Sequence, residues 1–192
     1  MFGKRTQQIV LVCSLGWISW LGMMLVHEAG HVAGAIFTGG HVERVIWHPL
    51  VLSRTDVQSS RSAMIVVWGG PVFGSVVPLI FELIAIKMRW RLGYMAAFFA
   101  GFCLLANGLY IGIGVLDPVG DAHEMIRLGT PRWVMAAFGL TTVWGLRMID
   151  RVSPKLGFGS SPEMIVMKEA FGAVLAAILV TFIGFVIGNR GT

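Results

Sequence analysis

Charge is scarce in this chain. Only 13% of its 192 residues are Asp, Glu, Lys or Arg, whereas soluble domains carry roughly 25%. A chain so poor in charge and 56% hydrophobic is excluded from the disordered class and from ordinary water-soluble domains, and is expected in lipid. Cysteine is nearly missing too. Cys13 and Cys103 each lie inside an apolar stretch and form no CxxC pair. A disulfide framework and an iron–sulfur motif are therefore set aside, and both thiols read as packing groups. Internal repeats and low-complexity tracts are missing as well. The net charge of +5 does not make a nucleic-acid surface, because the basic residues are scattered between apolar blocks, where they anchor helix ends at lipid headgroups.

What is abundant is long apolar sequence. A spanning helix needs about 20 mostly apolar residues. The blocks are Ile9 to Phe37, Ala63 to Ile86 with Glu82 as its only charge, Leu92 to Leu116 with none, the shorter Trp133 to Leu146 between Arg132 and Arg147, and Ala170 to Asn189. The short fourth block is extended or tilted at its ends if it spans. Lys4 and Arg5 before the first block, with "AGA" at 33–35, resemble a secretory leader. The apolar run exceeds the roughly 7–15 residues of a signal core, so it is read as a retained helix. The connection "TGGHVERVIWHPLVLSRTDVQSSRS" (38–62) is rich in β-branched residues and reads as a small hairpin. "KMRWR" (87–91) is a tight basic turn, and "DPVGDAHEMIRLGTPR" (117–132) holds room for a short helix. "DRVSPKLGFGSSPEM" (150–164) is a polar linker in which Ser161 before Pro162 starts the last helix. The fold expected is an all-α polytopic membrane protein with about five transmembrane helices and a small β-hairpin between the first two. It is expected to form one membrane-embedded domain over 1–192, with a core at about 9–130 and extra helices over about 131–192.

Within the first block, "LVHEAGHVAG" (25–34) places three ionisable groups in an oily setting. Such groups in a spanning helix are expensive, at about 2.5–3.5 kcal/mol for a charged residue at the helix centre, and are read as functional. His27 and His31 are four residues apart, which on a helix puts them about 40° apart and one turn along. Both rings can then reach one ion, with Glu28 on its open side. This is the H-E-x-x-H arrangement, two zinc-binding histidines and a glutamate general base. Catalytic zinc usually takes three protein ligands and keeps a fourth position open. The acidic candidates in or beside apolar blocks are Glu82, Asp117, Asp121 and Glu124. Asp121 is preferred because Gly120 lets the backbone turn toward the ion; Asp117 is the runner-up, and a solvated loop carboxylate is the other reading for Asp117 and Glu124. His123 is a partner to the ligands or an interfacial histidine, the second being favoured. Gly69, Gly70, Pro71 and Gly74 break the second helix or allow close packing, and Glu82 is given no role.

The run "HEAGHVAGAIFTGGHV", the "GGP" at 69–71 and an aspartate after the third block together resemble the site-2 protease family of intramembrane zinc metalloproteases, over roughly residues 20 to 130. The resemblance implies one Zn2+ per chain held by His27, His31 and Asp121, with Glu28 activating water. It also implies a hairpin beside the site and a membrane-embedded protein substrate. The third-ligand region, "LDPVGDAHE", departs from the Asn-Pro-Asp-Gly or Leu-Asp-Gly pattern of better-known members and looks more like a compact bacterial branch with Gly-Asp-Ala. That places the chain as a multi-pass protein of a bacterial cytoplasmic membrane. Asn107, in "LLANGLY", matches a family asparagine that bonds substrate or the oxyanion, at a longer spacing than usual; an interhelical hydrogen bond is the alternative.

The segment 41–57 is expected to offer a strand edge to an unwound substrate. Sidedness is open. The N-terminus and the second and fourth connections hold nine Lys and Arg against six opposite, which favours a cytoplasmic N-terminus, while the resemblance implies a site reached from the cytoplasm. Two competing functions remain: a catalytically inactive scaffold of the same fold, and a metal transporter. The intact Glu28 argues against the first. The lack of His or acidic residues in the third and fifth blocks argues against the second.

Overall fold

The computed structural model describes residues 3–158 and 167–188. Helix α1 (Lys4–Phe37) is followed by strands β1 (His41–Ile46) and β2 (Arg54–Gln58), helices α2 (Ala63–Lys87), α3 (Gly93–Ile113), α4 (Gly120–Arg127), α5 (Arg132–Gly139) and α6 (Thr141–Val152), a 3-10 turn (Ser153–Leu156) and α7 (Met167–Gly188). Ser161, Pro162 and Asn189, where the last helix was expected to start and end, lie outside the described residues.

Among the described residues, four helices are long and apolar enough to cross a membrane: Arg5–Phe37, Ala63–Lys87, Gly93–Ile113 and Met167–Gly188. The fifth expected span is not confirmed. The block Trp133 to Leu146 is divided at Leu140 between α5, of 8 residues, and α6, of 12, each below the length a span needs. The break sits where α3 crowds the chain: Gly139 packs against the Gly112 backbone, and Thr141 and Thr142 lie against Gly108.

α1 and α2 come into backbone contact at Gly30 and Gly69, where a Cβ on either glycine would collide with the carbonyl of the other. Small residues allow this backbone contact between membrane helices. α1 ends at Thr38, whose hydroxyl donates to the Gly34 carbonyl at 2.8 Å. The chain then reverses, and β1 pairs antiparallel with β2 through an irregular step between Val42 and Arg44. The hairpin runs back alongside α1. At its far end the buried Trp47 indole donates to the Leu21 carbonyl at 3.1 Å, about 24 Å below the end of α1 at 1.5 Å per residue. The tip residues Leu50, Val51 and Leu52 stand exposed, an apolar tip suited to lipid. α7 packs against that end, with Gly184 on Pro49 and Gly188 on His48, and is tied to α1 by Trp17 Nε1 donating to Thr181 Oγ1 at 2.7 Å. On the opposite end, the buried Glu82 carboxylate pairs with Arg151 and joins α2 to α6. Pairing is what makes a buried carboxylate tolerable.

Candidate metal centre

α1, α2, α3, α4 and β2 enclose a cavity of about 1020 Å³. Trp20, Met23, Met24, Phe102, Leu105 and Ala106 give it an apolar wall; His27, Glu28, His31, Thr55, Asn107 and Asp121 supply the polar one. His27, Glu28 and His31 are all buried, so the three polar groups of the α1 motif face inward.

His27, His31 and Asp121 each offer one ligand atom, and these lie within 4.8 Å of one another. His27 Nε2 is 2.9 Å and His31 Nε2 3.3 Å from Asp121 Oδ2, and the two Nε2 atoms are 3.2 Å apart. Each ring is fixed on its other side. His27 Nδ1 meets the Asn107 side-chain oxygen at 2.7 Å, and His31 Nδ1 meets the Val66 carbonyl at 2.8 Å. Both partners only accept, so each Nδ1 donates, and in the neutral ring the lone pair sits on Nε2. The Asn107 orientation is set in turn by its amide nitrogen, which donates to the Cys103 carbonyl at 2.9 Å. Two nitrogen lone pairs and a carboxylate oxygen thus converge with no neutral donor between them. A cation among them satisfies all three, and the group is one that can hold a metal ion.

Burial works against ionisation of Asp121, but without a metal the facing His27 and His31, once protonated, donate to it, more than offset burial and hold the carboxyl well below the ordinary carboxylate range; a cation between the three groups would take over that part. Asp121 occupies the first turn of α4, where the helix dipole also favours negative charge. Gly120 enters that turn at φ +52°, a left-handed conformation that glycine adopts without the strain a Cβ brings. The Asp121 N–H donates to the Tyr110 hydroxyl at 2.8 Å. Gly70 leaves the space in front of the rings: a Cβ there would sit 2.7 Å from His27 Nε2 and against His31 Nε2 as well.

The other sequence candidates fall elsewhere. Asp117 is exposed and outside the ligand group. Glu124 lines the cavity mouth but is bound to Arg127 at 2.6 Å, which lowers its pKa. His123 is exposed, and Glu82 is engaged with Arg151. Asn107 makes the interhelical bond to His27 described above. Gly74 gives it room, since a Cβ there would lie 2.9 Å from its amide nitrogen. Sequence reasoning missed the Val66 carbonyl, Tyr110 and Thr55, whose hydroxyl donates to Glu28 Oε2 at 2.6 Å.

Partners that orient metal-binding histidines matter nearly as much as the ligands. An Asn107→Ala protein is expected to bind its metal about 10- to 100-fold more weakly, the range such partners usually contribute, while keeping its helix content. Titration of metal-stripped protein checks this; unchanged affinity would show that His27 needs no orienting acceptor.

No protein-family model matches the chain, and comparisons with curated proteins and with solved structures return no match.

Proposed function

We propose that the protein is an intramembrane zinc metalloprotease of the site-2 protease kind, hydrolysing peptide bonds of membrane-embedded protein substrates. One observation carries this reading: two imidazole nitrogens and a carboxylate converge in a cavity that also holds the buried Glu28. A transporter or storage site has no need of a carboxylate beside the ligands that is not itself among them.

The donor set suits zinc. Tetrahedral bonds of about 2.0–2.1 Å separate neighbouring ligand atoms by about 3.3–3.4 Å. The triangle of 2.9, 3.2 and 3.3 Å is slightly smaller, and a shift of a few tenths of an ångström fits it to the ion. Nitrogen and oxygen donors, with three places filled by protein, match catalytic zinc sites. Bound zinc supplies Lewis acidity, polarising the scissile carbonyl and bringing the pKa of water to near 7. Glu28 is the general base, taking the water proton and returning it to the leaving amine. His27, His31 and Asp121 hold the ion. Asn107 and Val66 fix the rings, and Tyr110 fixes the turn that carries Asp121.

A helical substrate hides its carbonyls and must unwind before it is cut. β2 lines the cavity with Arg54, Thr55 and Val57. Among the described residues β1 is its one strand partner. Its other edge offers ladder groups to an extended peptide, the strand-addition mode. On this reading α5 and α6 together form a fifth, broken pass beside α3, and the setting is a bacterial cytoplasmic membrane.

The deciding experiment uses protein reconstituted in vesicles with a tagged single-span peptide carrying a central helix-breaking Asn-Gly-Pro. Cleavage is expected in the zinc-loaded protein, is lost on chelation by at least about a hundredfold, the low end of what a catalytic group contributes, and returns when zinc is added. Cleavage that survives complete metal removal would overturn the reading.

A further inference from the structure

The base just described is held by a residue outside the histidine motif. We infer that Thr55 is a positioning residue for Glu28, so that β2 sets one common register for the base and for the substrate backbone. This rests on the proteolytic reading of the same site.

The Thr55 hydroxyl donates to Glu28 Oε2 at 2.6 Å, within the 2.5–2.7 Å typical of a hydroxyl on a carboxylate. Its one proton is committed there. A glutamate carboxylate otherwise turns over a broad range about its last torsion. With Oε2 anchored, Oε1 is the oxygen left to meet the water proton. Thr55 is itself held in place, because β2 is locked to β1 by the pair Val45–Thr55 and its neighbours.

Strand alternation puts Thr55 and Val57 on one side of β2, and both line the cavity, as does Arg54 between Ser53 and Thr55. The strand that holds the base is therefore also a strand bordering the space a substrate would enter. Glu28 follows His27 directly on α1, so the same contact ties the hairpin to the helix that bears two of the metal ligands. A cap that served stability alone would place no demand on which oxygen of Glu28 it held.

The test uses the full chain in vesicles with the tagged single-span peptide. Thr55→Val keeps the shape and removes the hydroxyl; Thr55→Ser keeps the hydroxyl. Losing a hydrogen bond to a charged group costs a factor of about 10 to 100. That loss is expected in kcat per bound zinc for Thr55→Val, with KM and zinc content unchanged, and Thr55→Ser is expected to restore most of it. Wild-type kcat in Thr55→Val overturns the inference. So does a loss that Ser fails to restore, or one that appears as lost zinc or raised KM with kcat per zinc intact. A wild-type protein that binds zinc yet cuts no such peptide removes the proteolytic reading and the inference with it. A wild type that cuts, matched by Thr55→Val, removes the inference alone.

Discussion

A Glu28→Gln protein is expected to keep its metal and to lose peptide hydrolysis by about a hundredfold to ten-thousandfold, the range a positioned acid–base group contributes. The substitution is nearly isosteric. Glutamine offers a carbonyl oxygen to the Thr55 hydroxyl that now meets Glu28 Oε2 at 2.6 Å, so the local packing survives. What it cannot do is accept a proton from water. Glu28 is not among the ligand group of His27, His31 and Asp121, so zinc content should stay at wild-type level. Metal analysis and the cleavage rate, measured on the same preparation, separate the readings. Retained zinc with lost cleavage supports the protease. Cleavage at the wild-type rate would remove Glu28 as the base. An unchanged effect of this variant on cell function would favour the inactive scaffold.

The second large effect concerns the third ligand. Asp121→Ala is expected to weaken zinc binding by more than about a hundredfold, beyond the 10- to 100-fold that orienting partners contribute. It leaves two imidazoles to hold an ion that catalytic sites grip with three protein ligands. Asp117→Ala is expected to bind zinc as the wild type does, since Asp117 is exposed and takes no part in the ligand group. Equilibrium titration of stripped protein with zinc gives both numbers. The reverse result, with Asp117 needed and Asp121 dispensable, would show that the turn before α4 is placed differently when metal is bound.

The parts of this centre that were readable beforehand were local ones. His27, Glu28 and His31 are close along one helix, and helical spacing alone brings the two rings onto one side. Asp121 is 90 residues beyond His31, yet Gly120 marked it, because a glycine at a turn leaves a trace in the sequence that its φ of +52° explains. The hairpin was legible from β-branched residues and a Gly-Gly start. Thr55, Tyr110 and the Val66 carbonyl left no trace. Thr55 meets Glu28 across 27 positions through a strand whose facing is set by its partner and its bulge, and no periodicity encodes that. A backbone carbonyl such as Val66 carries no residue identity at all. The division of the fourth block into α5 and α6 was not legible for a related reason. The break at Leu140 lies beside close contacts with Gly108 and Gly112 of α3, which a one-dimensional count of apolar residues does not see.

If the protein cuts membrane-spanning substrates as proposed, the length of α1 has a consequence for the fragments. At 34 residues it measures about 51 Å, well over the roughly 30 Å of hydrocarbon it crosses. His31 and His27 stand six and ten residues before its end at Phe37, about 9–15 Å along the axis. A chain severed at that level keeps only three or four extended residues on the near side, at about 3.3 Å each, and most of its greasy length on the far side. The two halves then have opposite fates: the short-stubbed piece has too little oil to stay and departs into water, while its counterpart remains lodged in the bilayer until something else clears it.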